Sequence, residues 1–242
     1  MDCNTTLLVL GASRGGTTIV TAALGSHPEV AMLDEEFTGA VFHVTGGKIR
    51  GNKLCVPNQL EWSKRYHRCY KILGVNGFLR KRKLWNLIPR SELSLMDYVA
   101  RGPVQSVCIL REPNAVISSI IQRERRSANI AAFRWQRCVE FIAQIHDQHG
   151  QHDNLLPPAI VSFEGLVQSP EETLKRLCQF INLPYAPAMM NAPSRNARYA
   201  GSGFDASKIQ PSSAINFESL LSTATLETYQ RLLVQDLSLP QS

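Results

Sequence analysis

Apolar residues follow two rhythms along the chain. Continuous runs of strand length occupy residues 7–10, 70–75, 107–110 and 159–162, and between them apolar positions recur at helical spacing. Cys138, Phe141, Ile142 and Ile145 obey the i, i+3, i+4, i+7 rule, as do Leu174, Leu177, Cys178 and Ile181. Strands alternating with helices predict an α/β fold, a three-layer domain with a central parallel sheet flanked by helices. A helix start is marked at Ser169, with Pro170 in the first helical position and Glu172 three residues after the cap, which predicts a capping box. Two stretches, 37–69 and 182–217, carry neither rhythm, and the second is rich in Pro, Asn, Ser, Gly and Arg. Both read as long loops, of the kind that cover a substrate or nucleotide. No internal repeat interrupts the pattern, and 242 residues suit a single domain spanning 1–242.

Composition adds bounds. Hydrophobic residues at 44% and charged residues at 19% are ordinary globular values. No stretch approaches the roughly 20 apolar residues of a membrane span, and no signal peptide is visible ahead of the first strand. The six cysteines, Cys3, Cys55, Cys69, Cys108, Cys138 and Cys178, are scattered without a C-x-x-C pair, and most read as reduced core residues, although their even number leaves disulfides open from spacing alone; a cytoplasmic location is the default expectation. A net charge of +6 calls for an anionic partner. Basic clusters at 80–83 and at Arg123, Arg125 and Arg126 lack the interleaved aromatics of single-strand binding, so a solvated basic face accounts for them as well as nucleic acid does, and an anionic small molecule explains the charge equally well.

The candidate chemistry begins where the first strand runs into Gly11-Ala-Ser-Arg-Gly-Gly-Thr-Thr18 and then into a helix carrying Ile19, Val20, Ala23 and Leu24. Glycines let successive N–H groups point inward, and a helix N-terminus adds partial positive charge, so the segment is a phosphate nest. Its spacing follows G-x-x-x-x-G of the Walker A loop, but Thr17 stands at the lysine position. Arg14 supplies a permanent charge and forked donors in its place, and Gly15, Gly16, Thr17 and Thr18 complete the site. The strand at 107–110 ends in Arg111-Glu-Pro113, a helix start with Ser119 on its early turns. Arg111 and Ser119 therefore stand at the sheet edge where open α/β folds bind ligands, placed to share a second anion.

These segments resemble the PAPS-dependent sulfotransferases (PAPS, 3'-phosphoadenosine 5'-phosphosulfate). The family's 5'-phosphosulfate loop is matched by Arg14-Gly-Gly-Thr-Thr18. Its 3'-phosphate motif is matched by Arg111-Glu-Pro113 with Ser119, and a third signature by Ile160-Val-Ser-Phe-Glu-Gly-Leu-Val-Gln-Ser-Pro170 continuing to Phe180-Ile-Asn-Leu-Pro184. Ser26-His-Pro-Glu-Val30 followed by Asp34-Glu35-Glu36 looks like the tyrosylprotein and carbohydrate branches.

The resemblance implies transfer of a sulfuryl group from PAPS to a hydroxyl or amine acceptor, without a metal. Arg14 would stabilise the leaving phosphate, and Glu35 or Glu36 would be the general base, the choice between them being open. It also implies that Arg195, Arg198 and Ser202 close over the nucleotide. Two departures stand out: Gly15 replaces the usual serine, and Gly74-Val-Asn-Gly77 stands where some branches carry a lysine after the third strand. Two other readings compete, a P-loop kinase or NTPase and a non-catalytic nucleotide-binding module. The spaced His146, His149 and His152 offer a metal alternative, which the Gly150 helix stop weakens.

Overall fold

The computed structural model describes residues 4–45, 49–63, 90–191, 204–209 and 215–239. Its centre is one sheet of five strands, β1 (Thr6–Gly11), β2 (Val30–Asp34), β3 (Ile49–Cys55), β4 (Val104–Leu110) and β5 (Ala159–Ser162), in the order β2-β3-β1-β4-β5. Every pairing is parallel. The α-helices among the described residues are α1 (Thr17–Gly25), α2 (Leu95–Val99), α3 (Pro113–Glu124), α4 (Ala128–Gln148), α5 (Phe163–Gln168), α6 (Pro170–Phe180) and α7 (Thr223–Leu233).

Side-chain alternation along β1 generates the three layers. Leu8 and Leu10 face one way, into a cluster with Val116, Ile117 and Ile120 of α3, Trp135, Cys138 and Ile142 of α4, and Leu232 of α7. Leu7 and Val9 face the other way, into Val20, Ala23 and Leu24 of α1 and Leu174, Leu177 and Cys178 of α6. With both faces covered, β1 and β4 are buried along their whole lengths, which is why the apolar runs 7–10 and 107–110 do not alternate with polar residues. Burying each large aliphatic side chain contributes about 1.5–3 kcal/mol. Among the described residues no helix is long and apolar enough to cross a membrane.

Three local expectations are corrected. The stretch 37–69 is not a continuous loop, because it contains β3, which lies between β1 and β2. Its sequence, IRGNKLC, hides this by placing Asn52 and Lys53 in a buried strand, where polar partners rather than apolar packing hold them. Among the described residues the third strand ends at Cys55 and carries Lys53 within it, well before Gly74-Val-Asn-Gly77. The run at 70–75, like the basic cluster at 80–83, lies outside the described residues. The third correction concerns α6, which begins at Pro170 as predicted, while the Ser169 side chain forms no cap. Ser169 is also the C-cap of α5, and its N–H bonds Gly165 O at 3.0 Å, leaving nothing for Glu172 to cap. Glu172 pairs with Lys175 instead.

β3 also shows packing overriding strand propensity. Gly51 pairs with Leu7 and Met32, and a Cβ at this position would run into the Met32 sulfur and stand 3.0 Å from Leu7 O. Gly51→Val adds a strand-favouring side chain where no volume exists. Urea unfolding is expected to show a loss of about 1–3 kcal/mol, opposite in sign to what propensity alone predicts.

Candidate active site

The chain leaves β1 toward β3 and β2 on one side and later reaches β4 and β5 on the other, so the crevice beyond the ends of β1 and β4 is a topological switch point. Register brings the two anion motifs together there. Gly11 pairs with Ile109, so the phosphate loop leaves β1 beside Leu110 and Arg111.

Within the loop, Gly15 N donates to Ala12 O at 2.9 Å, closing the turn. Gly16 takes φ 97 as the N-cap of α1, and a Cβ there would strike the Phe163 ring. Helices α2, α3, α4, α5 and α7 each begin with a side chain that accepts their first N–H groups. Helix α1 has no such cap and no acid in its first turn. Its open N-terminus, with the hydroxyls of Thr17 and Thr18, is suited to an anion.

Arg14 and Arg111 meet at this corner. Arg14 Nε donates to Ser119 Oγ at 3.3 Å, and Arg111 Nη1 donates to Arg14 O at 2.9 Å, contacts spanning 105 and 97 residues. The Arg111 guanidinium lies 4.2 Å from the centre of the Phe163 ring, and Trp135 Nε1 donates to Arg111 O at 3.0 Å. Burial presses Arg111 below its ordinary pKa; Glu164 works against this, while the nearby Arg14 charge adds to it. Two adjacent cations are the donor set that a multiply charged phosphate compound satisfies.

The acidic segment occupies the opposite flank. Asp34 ends β2 and pairs with Lys53, whose Nζ lies 2.7 Å from Asp34 Oδ1 and 3.0 Å from Glu35 Oε1. Glu35 adopts φ 56 and also receives a hydrogen bond from Gln59. Burial alone would raise its pKa, but the bonds from Lys53 and Gln59 and the charges of Lys53 and Arg90 hold it below the ordinary carboxylate value. Burial likewise works against charge on Lys53, but Cys55, Asp34 and Glu35 push it up to about 12. Glu36 points elsewhere. Its Oε1 accepts from Thr38 N and Thr38 Oγ1, its Oε2 from Gly39 N, and its backbone is gripped by Asn52 through Oδ1 and Nδ2. Cys55 connects the flanks: it pairs with Gly11, its Sγ lies 3.9 Å from Thr17 Oγ1, and it feels both Lys53 and Glu35.

The structure thus gathers Arg14, Gly15, Gly16, Thr17, Thr18, Arg111 and Ser119 at one corner, with Glu35 two strands away, at the end of β2 beyond β3, and Glu36 turned into its own loop. Arg195, Arg198 and Ser202 lie outside the described residues. Sequence reasoning missed Lys53, Phe163 and Glu164 as parts of this region, although the last two stood inside the third quoted motif. Of the three histidines, the His146 and His149 rings meet edge to face with centroids 6.2 Å apart, His146 pairing with Asp147 and His149 bonding His146 O at 2.7 Å, while His152 lies against Trp62. No cluster able to hold a metal occurs among the described residues.

Because its folded pKa is depressed, Glu35 contributes stability that is present above the unfolded carboxylate range and lost as pH falls through its folded value. Lys53→Met removes the hydrogen bond and charge that do most to hold the Glu35 pKa down against burial, leaving Gln59 and Arg90 to oppose it. Melting temperatures between about pH 3 and 8 are expected to show the variant's deficit largest near neutrality and shrinking in acid. A deficit independent of pH contradicts the pairing.

No family model matches the chain. A Caenorhabditis briggsae protein named "Putative protein-tyrosine sulfotransferase" is 24% identical over 208 residues, covering 76% of this chain and 68% of that protein. The sulfotransferase domain of the Synechococcus PCC 7002 olefin synthase superposes with a TM-score of 0.58 at 16% identity, covering 94% of both chains. The sulfotransferase domain from the curacin biosynthetic pathway gives 0.52 at 15% identity, over 95% of this chain and 96% of that one. The chain thus shares the fold of these sulfotransferase domains, and its likeness in sequence is to the nematode protein.

Proposed function

We propose that the protein transfers the sulfuryl group of PAPS to a hydroxyl or amine acceptor, with Glu35 as general base. The observation that carries this reading is the meeting of Arg14, Arg111 and Ser119, which pairs a phosphate loop with a second anion site one strand away. PAPS supplies a sulfuryl group on a phosphate leaving group and a separate 3'-phosphate, a charge pattern that these two sites fit. Arg111 and Ser119 take the 3'-phosphate, which ATP lacks. Arg14, the open N-terminus of α1 and the hydroxyls of Thr17 and Thr18 take the phosphosulfate, where charge develops on the leaving oxygen. Arg195, Arg198 and Ser202 are assigned to the nucleotide from the motif resemblance alone.

Glu35 is preferred over Glu36 because both Glu36 oxygens are committed to Thr38 and Gly39, whereas Glu35 lies with Lys53 and Gln59 toward Cys55 and the phosphate loop. Ionised across the neutral range, Glu35 accepts the acceptor's proton. Lys53 holds its orientation and offers a compensating charge as transfer proceeds. A phosphotransferase reading is less well supported, since Thr17 fills the Walker lysine position and Lys53 neutralises the acids ending β2. The acceptor class includes a tyrosine phenol, which the nematode relative's name makes the first to test. Four buried free thiols, Cys55, Cys108, Cys138 and Cys178, suit a reducing compartment such as the cytoplasm.

Transfer from radiolabelled PAPS across tyrosine peptides, sugars and small phenols and amines tests the activity. Glu35→Gln is expected to lose about 100-fold or more in turnover with nucleotide affinity nearly unchanged, while Glu36→Gln stays within about threefold. Full activity in Glu35→Gln rejects the base. Calorimetry tests the second anion site separately: Arg111→Ala should weaken 3',5'-ADP about tenfold or more and leave AMP unaffected. Equal loss for both nucleotides rejects the assignment of Arg111 to the 3'-phosphate.

A further inference from the structure

Arg14 is a non-glycine residue at φ 68, a left-handed conformation that costs about 1 kcal/mol and persists only where its surroundings enforce it. Two enforcing contacts follow it, from Arg14 Nε to Ser119 and from Arg111 to Arg14 O. A third precedes it. Ser13 Oγ donates to Glu124 Oε1, at the last residue of α3, and Glu124 Oε2 accepts from Arg134 Nη1 at 2.6 Å. The Arg134 side chain is 3% exposed, on a face of α4 shared with Ala131, Trp135 and Cys138. Burying a guanidinium among apolar residues contributes little to stability, since desolvation offsets the pairing energy, so its place directly behind the phosphate loop calls for another explanation. Glu124 is no second base, because both its oxygens are engaged.

We propose that Glu124, anchored by Arg134, is a positioning residue that grips Ser13 and thereby fixes the Arg14 guanidinium for the transition state. The inference rests on the reading of this loop as the phosphosulfate site. With Ser13 held on one side and Arg14 O on the other, the strained residue between them has one available conformation. Its guanidinium then stays in place as negative charge builds on the leaving phosphate. Loosening the grip affects the transition state more than the ground state, because the N-terminus of α1, Arg111 and Ser119 still bind the nucleotide.

Ser13→Ala removes the gripped hydroxyl while keeping the Glu124–Arg134 pair, and Ser13→Thr retains the hydroxyl. In Ser13→Ala, turnover is expected to fall about tenfold or more, 3',5'-ADP affinity to change less than about threefold, and melting temperature to stay within about 2 °C. Ser13→Thr should recover most of the turnover. Hydrogen exchange of the Arg14 to Thr17 amides reads the grip without any assay of transfer: it should rise in Ser13→Ala and Glu124→Gln and stay near wild type in Ser13→Thr. Unchanged exchange in Ser13→Ala overturns the grip whatever the activity. Wild-type turnover in Ser13→Ala, or failure of Ser13→Thr to differ from it, overturns the positioning role. If the wild-type protein binds no 3',5'-ADP, the phosphosulfate reading fails and the catalytic part of this proposal with it, while the exchange measurement still decides whether the grip exists.

Discussion

Two guanidinium groups set beside each other at the end of a parallel sheet are the constraint around which this molecule is arranged. Arg14 and Arg111 repel, and burial disfavours charge on Arg111, so the corner is stable only because neighbouring groups hold it. Phe163 offers a ring face to Arg111, Glu164 offers charge, and Ser119 takes one Arg14 N–H. The backbone complies as well, with Gly16 and Arg14 both in left-handed conformations so that the loop can turn toward the cations. Such a corner is pre-organised for an anion, since its reorganisation is completed during folding rather than during binding.

The acidic flank is governed by the opposite difficulty. Asp34 and Glu35 would repel each other at the end of β2, and Lys53 from the adjacent strand binds both. That arrangement keeps Glu35 ionised and oriented, and it makes β3 a working element of the site as well as a structural strand. Asn52, one residue earlier on the opposite face, holds the Glu36 backbone, so successive side chains of one strand serve Glu35 and its neighbour separately.

How much of this the sequence revealed depended on whether a feature was local. The phosphate loop, the start of α3 at Pro113 and the apolar faces of α4 and α6 were legible, because each follows from spacing within a few residues. β3 was not: Arg50, Asn52 and Lys53 break its apolar run, and their partners, Thr6, Glu36 and Glu35, are distant in sequence or unreadable as partners until the strands pair. The Ser169 capping box failed for a related reason, since the same serine had already ended the preceding helix. Glu35 and Glu36 were inseparable in sequence, because one positive-φ residue decides which carboxylate faces the loop and which folds back on Thr38. The Glu124–Arg134 pair lay on two different helices, and no spacing announces such a meeting.

The position of β1 has a wider consequence. With β4 on one side and β3 on the other, it divides the crevice into a flank of cations and a flank holding the carboxylate and its lysine. The paired arginines and the acidic side chains are therefore carried by separate strands. Substitutions around β2 and β3 can accumulate while the cation corner between β1 and β4 keeps its geometry, so change within this architecture is expected to be lopsided.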